Sequence, residues 1–310
     1  MTSTTPSVST PREGSVNGRF VVVCVDGSSD SERAIRFGVQ EARRRGVGLR
    51  LVHVQAQVVP MAAMLPAVPA STLHEVAAGI VKSSEETARS SGWDEPDVDV
   101  VLENGPRRDA IFAHTGDAAC IVLGRRSSTV DHLISGSTTS SLAAHADVPV
   151  ISVPDGWEPS AHHDLVVAGI DACDCVEGRT VMDAAFEEAS RRSAHLRLLH
   201  AWRPANIYDM AIDSRVLSDL WAGKAQEALA EQARATRRSE TVEWSARAAY
   251  DRAALALHRA SGEADLLVVG RHGHGSRVHL SLGSTARAVL RAARCPVMVV
   301  PTAPHSGSED

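Results

Sequence analysis

The chain repeats itself at long range. Phe20-Val-Val-Val-Cys-Val-Asp26 returns as Leu165-Val-Val-Ala-Gly-Ile-Asp171, and Leu49-Arg-Leu-Val-His-Val54 returns as Leu196-Arg-Leu-Leu-His-Ala201. Ile121-Val-Leu-Gly124-Arg is matched by Leu267-Val-Val-Gly270-Arg, and Val148-Pro-Val-Ile-Ser-Val-Pro154 by Cys295-Pro-Val-Met-Val-Val-Pro301. The offset stays at about 145 to 147 residues throughout. A long, steady offset means two copies of one whole domain, because a solenoid repeats every few tens of residues. The 310 residues are enough for two domains. The organisation read from the repeat is a tail over 1–17, a first domain over 18–154, a linker over 155–163, a second domain over 164–302 and a tail over 303–310. Both tails are rich in Ser, Thr, Pro or Gly and read as disordered.

Each copy alternates short apolar runs with longer amphipathic stretches. The pattern predicts strands near 20–25, 49–54, 98–102, 119–124 and 149–153, with helices near 30–45, 71–91, 107–115 and 137–146. In the second copy it predicts strands near 164–170, 195–202, 241–247, 265–270 and 297–300, with helices near 177–193, 215–238, 250–261 and 284–294. Most of the strands are unbroken Val, Leu and Ile without polar alternation, which is how a parallel sheet covered on both faces reads. The fold class is therefore α/β: two tandem doubly wound domains, each with a mostly parallel five-stranded sheet flanked by helices. The last strands, Val148–Val153 and Pro296–Val300, are apolar edges. An uncovered edge invites pairing, so the two domains are expected to pair there about a pseudo-twofold axis. A homodimer through one further isologous contact is also compatible with that architecture.

Composition excludes several functions. The net charge of −6 disfavours a nucleic-acid or anionic-membrane binder, since both need a basic surface. No run of about 18 apolar residues is present, so no membrane span is expected. The N-terminal stretch has neither the basic nor the apolar region of a secretory signal. Cys24 and Cys120 lie in apolar runs and Cys295 precedes a proline, which reads as reduced, buried thiols in a cytoplasmic protein. Cys173-x-Cys175 is the one close pair. No second pair completes a site of metal-ligand spacing, so it is given no role.

In an open α/β sheet, ligands sit at the carboxyl ends of strands where the strand order reverses. After the fourth strand of copy two stands Gly270-Arg-His-Gly273-His-Gly275-Ser-Arg-Val-His-Leu-Ser-Leu-Gly283-Ser284-Thr285. Glycines let main-chain N–H groups approach an anion, and Ser284 and Thr285 open a helix at its positive end. Arg271, His272, His274 and Arg277 add positive character, and the pattern suits a phosphate chain. A glycine-rich turn before an ordinary helix cap explains the glycines equally well. The pattern is neither a P-loop nor the dinucleotide fingerprint.

The spacing Gly270-x2-Gly273-x9-Gly283-Ser284 resembles the ATP-binding signature of the universal stress protein family. Further matches are an Asp ending the first strand (Asp26, Asp171), Leu199-His200-Ala201 and Val52-His53-Val54 closing the second, and Pro149-Val150 and Pro296-Val297 opening the last. The resemblance covers nearly all of residues 18–302. It implies the adenine nucleotide alpha hydrolase-like form of the fold, with ATP as ligand, accompanied or not by Mg²⁺. The first-strand Asp would contact the nucleoside, the residue after the strand-two His would lie along adenine, and the glycine loop with its Ser would hold ribose and phosphates. Carried over, copy two would use Asp171, Ala201, Val269, Gly270, Gly273, Gly283, Ser284 and Thr285. Copy one would use Asp26, Val54, Leu123, Gly124, Gly136, Ser137 and Thr138.

The copies depart from that pattern in opposite halves. Copy one has Ser127 where the second glycine belongs, and its loop is one residue shorter. A side chain there crowds phosphates or forbids the needed φ. Copy two keeps the glycines, but its first loop reads Asp171-Ala-Cys-Asp174-Cys, which adds a carboxylate that either repels phosphate or helps hold Mg²⁺. The intact loop makes copy two the better expected site. His53 and His200 read as hydrogen-bonded core histidines. Asp26 to Ser31 reads as a helix-capping start, and Arg43-Arg44-Arg45 as a solvated helix end. The tryptophans are too scattered to suggest stacking on bases. No Ser/His/Asp set, zinc motif or placed general base appears, so catalysis is unsupported beyond slow ATP hydrolysis. The expected function is an ATP-binding sensor or regulator of the stress response. The alternatives are a nucleotide-independent interaction scaffold of the same fold, or an ATP-using enzyme such as a ligase, which the missing Ser-Gly-Gly-x-Asp loop weakens.

Overall fold

Six residues without a charge, Phe20–Val25 (β1), enter the interior as an almost fully buried strand. Ser28 then stops the extended chain. Its hydroxyl accepts from the Ser31 N–H at 3.3 Å and caps helix α1 (Ser29–Arg45), whose first turn carries Asp30 and Glu32 against the positive end of the helix dipole. Gly46, at φ 64°, ends the helix in the left-handed conformation that glycine adopts without strain. The rest of copy one follows as β2 (Gly48–Gln55), α2 (Ala70–Ser90), β3 (Asp99–Asn104), α3 (Arg107–Phe112), β4 (Ala118–Gly124), α4 (Gly136–His145) and β5 (Val150–Val153). Copy two runs β6 (Leu165–Gly169), α5 (Val176–Arg192), β7 (His195–Trp202), α6 (Arg215–Arg234), β8 (Trp244–Tyr250), α7 (Ala253–Ala260), β9 (Leu266–Gly270), α8 (Ser284–Ala292) and β10 (Val297–Val300). This computed structural model describes residues 18–55, 70–93, 98–125, 136–171, 175–202, 215–273 and 281–302. No helix among them is long and apolar enough to cross a membrane.

The two expected five-stranded sheets are one ten-stranded sheet, in the order β3-β2-β1-β4-β5-β10-β9-β6-β7-β8. Among the described residues every pairing within each half is parallel, and the single antiparallel pairing is β5 with β10. There Val150 faces Val299, Ile151 faces Met298 and Ser152 faces Val297, so the predicted edges close on one another. All eight residues of the two strands are buried. Burying a Val or Ile side chain contributes about 1.5–3 kcal/mol, so the pairing removes an apolar edge and stabilises the junction together.

A second junction lies between the first helices of the two halves. Glu41 and Arg45 on α1 meet Glu188 and Arg192 on α5. Arg45 donates to Glu41 at 3.1 Å and to Glu188 at 2.6 Å, while Arg192 donates to Glu41 at 2.5 Å and pairs closely with Glu188. All four side chains are at most 6% exposed. Two positive and two negative charges therefore neutralise each other in a water-poor site. This corrects the reading of Arg43-Arg44-Arg45 as a solvated end. Arg45 is interior, and Arg44 pairs with Glu41 at 2.9 Å. The linker joins the same region: Trp157 packs edge-on against Phe37 of α1, with ring centroids 5.3 Å apart.

One strand is displaced from its expected place. β8 was expected over 241–247 and begins at Trp244, because the N–H groups of Thr241 and Val242 close a turn on the Arg238 carbonyl and use up those residues. The strand then continues to Tyr250, where a helix was expected, held by pairing to Trp202 at the end of β7.

Candidate functional site

In copy one, Asp26 leaves β1 and Gly27 turns the chain at φ 78°. The Asp26 carboxylate accepts from the Ser28 N–H at 3.1 Å and from its hydroxyl at 2.5 Å, so the stretch is a capping turn as read. Gly124 ends β4 directly against the first turn of α1. A Cβ on it would overlap the Asp30 carbonyl. That glycine is thus required by strand–helix packing before any ligand is considered.

Between these ends lies a cavity of about 130 Å³. Asp26, Val54, Leu123, Gly124 and Thr138 line it, bringing together five of the seven residues assigned to copy one. Gly136 and Ser137 begin α4 beside it. Ser127, whose side chain was expected to crowd the phosphates, lies outside the described residues. Sequence reasoning missed several of the walls. Arg107, at the start of α3, lines the cavity, and so does Ser152 from β5. Leu290 and Arg291 reach it from α8 of copy two. Leu290 and Arg291 arrive by domain pairing, which nothing in the local sequence signals, and Arg107 and Ser152 belong to elements that the motif pattern does not cover.

In copy two, Asp171 follows β6 and is exposed. Its carboxylate lies close to Gly273: a Cβ there would sit 2.7 Å from Asp171 Oδ2. Gly283 donates its N–H to the Arg271 carbonyl at 2.9 Å and so closes the loop at its base. Gly270 packs near Val181 and the His272 carbonyl. Ala201 and buried Val269 stand at the ends of β7 and β9. α8 starts at Ser284 and Thr285 behind Gly283, which has no side chain to cap its first turn. Asp174, His274 and Arg277 lie outside the described residues.

The arginines after β4 and β9 do something other than expected. Arg125 donates to the carbonyls of Ala293 at 2.7 Å and Leu290 at 3.4 Å, at the end of α8. Arg271 donates in the same way to the Ala146 carbonyl, just past α4. Each domain therefore caps the other's last helix, where a cation also meets the negative end of the dipole. One N–H of Arg271 is thus spent on the other domain's helix end. Burial lowers its pKa and Asp147 opposes the shift, and burial likewise lowers that of Arg125 against Asp155.

The strand-two histidines hold the frame, as read. His53 Nδ1 lies 2.8 Å from the Val25 carbonyl, and His200 Nδ1 lies 3.0 Å from that of Ile170. Each pins β2 or β7 to the strand end that precedes the Asp. Cys24, Cys120 and Cys295 are free, and burial pushes each thiol up to about 12, so none is a ready nucleophile. Cys175, which received no role from the sequence, is disulfide-bonded at the start of α5. Its close neighbour Cys173 lies outside the described residues. No group of three or more His, Cys, Asp or Glu side chains able to hold a metal occurs among the described residues.

Comparison with known proteins agrees with this frame. A family model described as the universal stress protein family matches residues 19–154 and again 164–301. A universal stress protein of Mycobacterium tuberculosis is 32% identical over 294 residues, covering 90% of this chain and 96% of that relative. A second from the same organism is 30% identical over 303 residues, covering 90% and 94%. The crystal structure of a universal stress protein from Archaeoglobus fulgidus superposes with a TM-score of 0.65 at 16% identity, over 91% of this chain and 96% of that one. With the family pattern matched twice and joined through one sheet, the chain belongs to the universal stress protein family, as a tandem of two such domains.

Proposed function

We propose that the chain binds an adenine nucleotide, ATP, at the carboxyl ends of its central strands and acts as a nucleotide-dependent sensor or regulator of the stress response, not primarily as a catalyst. The observation that carries this reading is the copy-one cavity, in which residues assigned from separate motifs share one wall. Val54 and Leu123 offer an apolar face for a base, and Thr138 offers a hydroxyl at the start of α4. In copy two, the first turn of α8 behind Gly283 suits an anion. ATP fits this donor set: apolar strand ends, hydroxyls and helix-start N–H groups. Any Mg²⁺ would arrive with the phosphates of the nucleotide.

Bound nucleotide would hold the first loop and the start of the last helix together, biasing the conformation of that crevice. Because α4 and α8 are each capped by the other domain, the bias has a physical route across the β5–β10 junction. The test is direct. The full chain is purified without added nucleotide, denatured, and its supernatant analysed for ATP and AMP; the native chain is then titrated with ATP. Adenine nucleotide in the extract, or saturable binding in the titration, is the expected result. Neither would leave the interaction-scaffold reading in its place.

A further inference from the structure

The copy-one cavity has the means to hold phosphate without a glycine loop. Arg107 and Arg291 both line it, both are exposed to solvent, and neither has a hydrogen-bond or ion-pair partner among the described residues. The carboxylates there are already engaged: Asp30 pairs with Arg33, and Asp26 accepts from Ser28. Arg125 occupies the carbonyls that end α8, which leaves Arg291 of the same last turn uncommitted. A third observation stands apart from the charges. Ser152 is 3% exposed and lines the cavity, and its hydroxyl has no hydrogen-bond partner among the described residues. A buried hydroxyl left unpaired destabilises the fold, and a polar ligand group would relieve it.

Copy two differs at each of these three positions. The residue opening α7, where Arg107 opens α3, is Ala253. The residue of α4 that stands where Arg291 stands on α8 is Ala144, seven positions past Ser137 as Arg291 is seven past Ser284. The face of β10 that matches Ser152 carries Val299. At the three matched positions, the arginines and the hydroxyl are therefore found in the copy whose loop lacks the second glycine.

We propose that copy one holds the phosphates of its nucleotide with two side-chain cations, Arg107 from its own domain and Arg291 supplied by the second domain, in place of the main-chain cradle kept by copy two. This rests on the nucleotide reading above and names the residues that carry it in one half. Guanidinium forks bind phosphate oxygens through paired N–H groups, so the site selects for phosphate charge more than for loop geometry. It also exists only in the tandem: α8 begins behind the glycine loop of copy two and ends in the cavity of copy one.

The experiment measures equilibrium binding of ATP, AMP, adenosine and inorganic tripolyphosphate to the full chain. The variants are R107A, R291A, R291K and the double R107A/R291A, each also combined with G273V to disable the copy-two loop. Both arginines are exposed, so thermal unfolding should match wild type and certify the fold. In the G273V background, ATP affinity is expected to fall about tenfold in R291A and further in the double variant, with a shallower salt dependence. Adenosine affinity should stay the same, and R291K should recover part of the loss. ATP affinity within twofold of the parent in the double variant overturns the proposal while leaving nucleotide binding intact. If wild type binds no adenine nucleotide, the broader reading fails alone so long as tripolyphosphate binds wild type and is lost in the double variant. Absence of tripolyphosphate binding as well overturns both.

Discussion

At the carboxyl end of the first half-sheet, Asp26 is folded back on Ser28 and a cavity opens beside it, with two uncommitted arginines at its walls. At the same end of the second half, Asp171 lies against Gly273, alanines stand in the arginine positions, and the uncapped start of α8 faces out. Elsewhere the halves agree closely. His53 and His200, Arg125 and Arg271, and the pairs Glu41–Arg45 and Glu188–Arg192 are used in the same way twice. The difference teaches where repetition is held and where it is free. Residues that face the other copy must satisfy both partners at once, so a change in one half strands a charge or a carbonyl in the other. Residues that face the crevice answer only to a ligand, and there the copies diverge.

The largest effect should come from the part held alike. Glu41→Gln and Glu188→Gln each leave two interior arginines short of a carboxylate. Each should cost about 3–5 kcal/mol in urea unfolding, with equal losses if the twofold relation holds and unequal ones if it does not. Burial alone would raise the Glu188 carboxyl, but Arg192, Arg45 and Arg191 outweigh it and hold it at about 2, below its ordinary 4.5. A depressed carboxylate stabilises the fold fully above its unfolded pKa. Wild type should therefore lose stability as pH falls from about 4.5 towards 2, and Glu188→Gln should flatten that limb of a urea-midpoint profile against pH.

A smaller contrast separates the two strand-end glycines. Gly124→Ala drives a methyl into the Asp30 carbonyl, which backbone cannot easily yield. Gly270→Ala meets a Val181 methyl at 3.0 Å and the His272 carbonyl at 3.1 Å. Overpacking costs of about 3 and about 1 kcal/mol are expected, read as unfolding midpoints, and a reversed order would break the packing account of Gly124. The smallest effect should be the cap exchange. Arg125→Ala and Arg271→Ala each release helix-terminal carbonyls and should each cost about 1 kcal/mol. Arg271→Ala should leave the salt dependence of nucleotide binding unchanged. A shallower dependence in that variant would return Arg271 to the phosphate.

Much of the frame was legible because it is written locally. Unbroken Val and Leu runs announce buried parallel strands, Ser28 and Gly46 punctuate α1, and the Asp, His and glycine positions recur at one offset. The carboxyl-end site was legible in part for the same reason, and Asp26, Val54, Leu123, Gly124 and Thr138 were named before they were seen to share a wall. What was not legible shares a cause. Arg45 and Arg271 are flanked by ordinary surface or loop residues, so their neighbours in sequence do not announce the contacts that they make. Their partners, Glu188 and the Ala146 carbonyl, lie more than a hundred residues away. The three-residue displacement of β8 has a milder origin, since a turn on Arg238 and pairing to β7 decide where a weakly patterned strand begins.

By itself, then, the sequence determined that the chain is one α/β domain written twice, where each copy's strands and helices lie, and which ends of the strands to search. Those properties follow from side-chain polarity and backbone preference over a few neighbouring residues. Only the tertiary structure decided which edge strands meet, which charges are buried, and that Arg291 of the second half stands in the crevice of the first. Such contacts depend on how one copy is placed against the other, and that placement is set by the summed fit of two whole surfaces, which no local stretch of the chain contains.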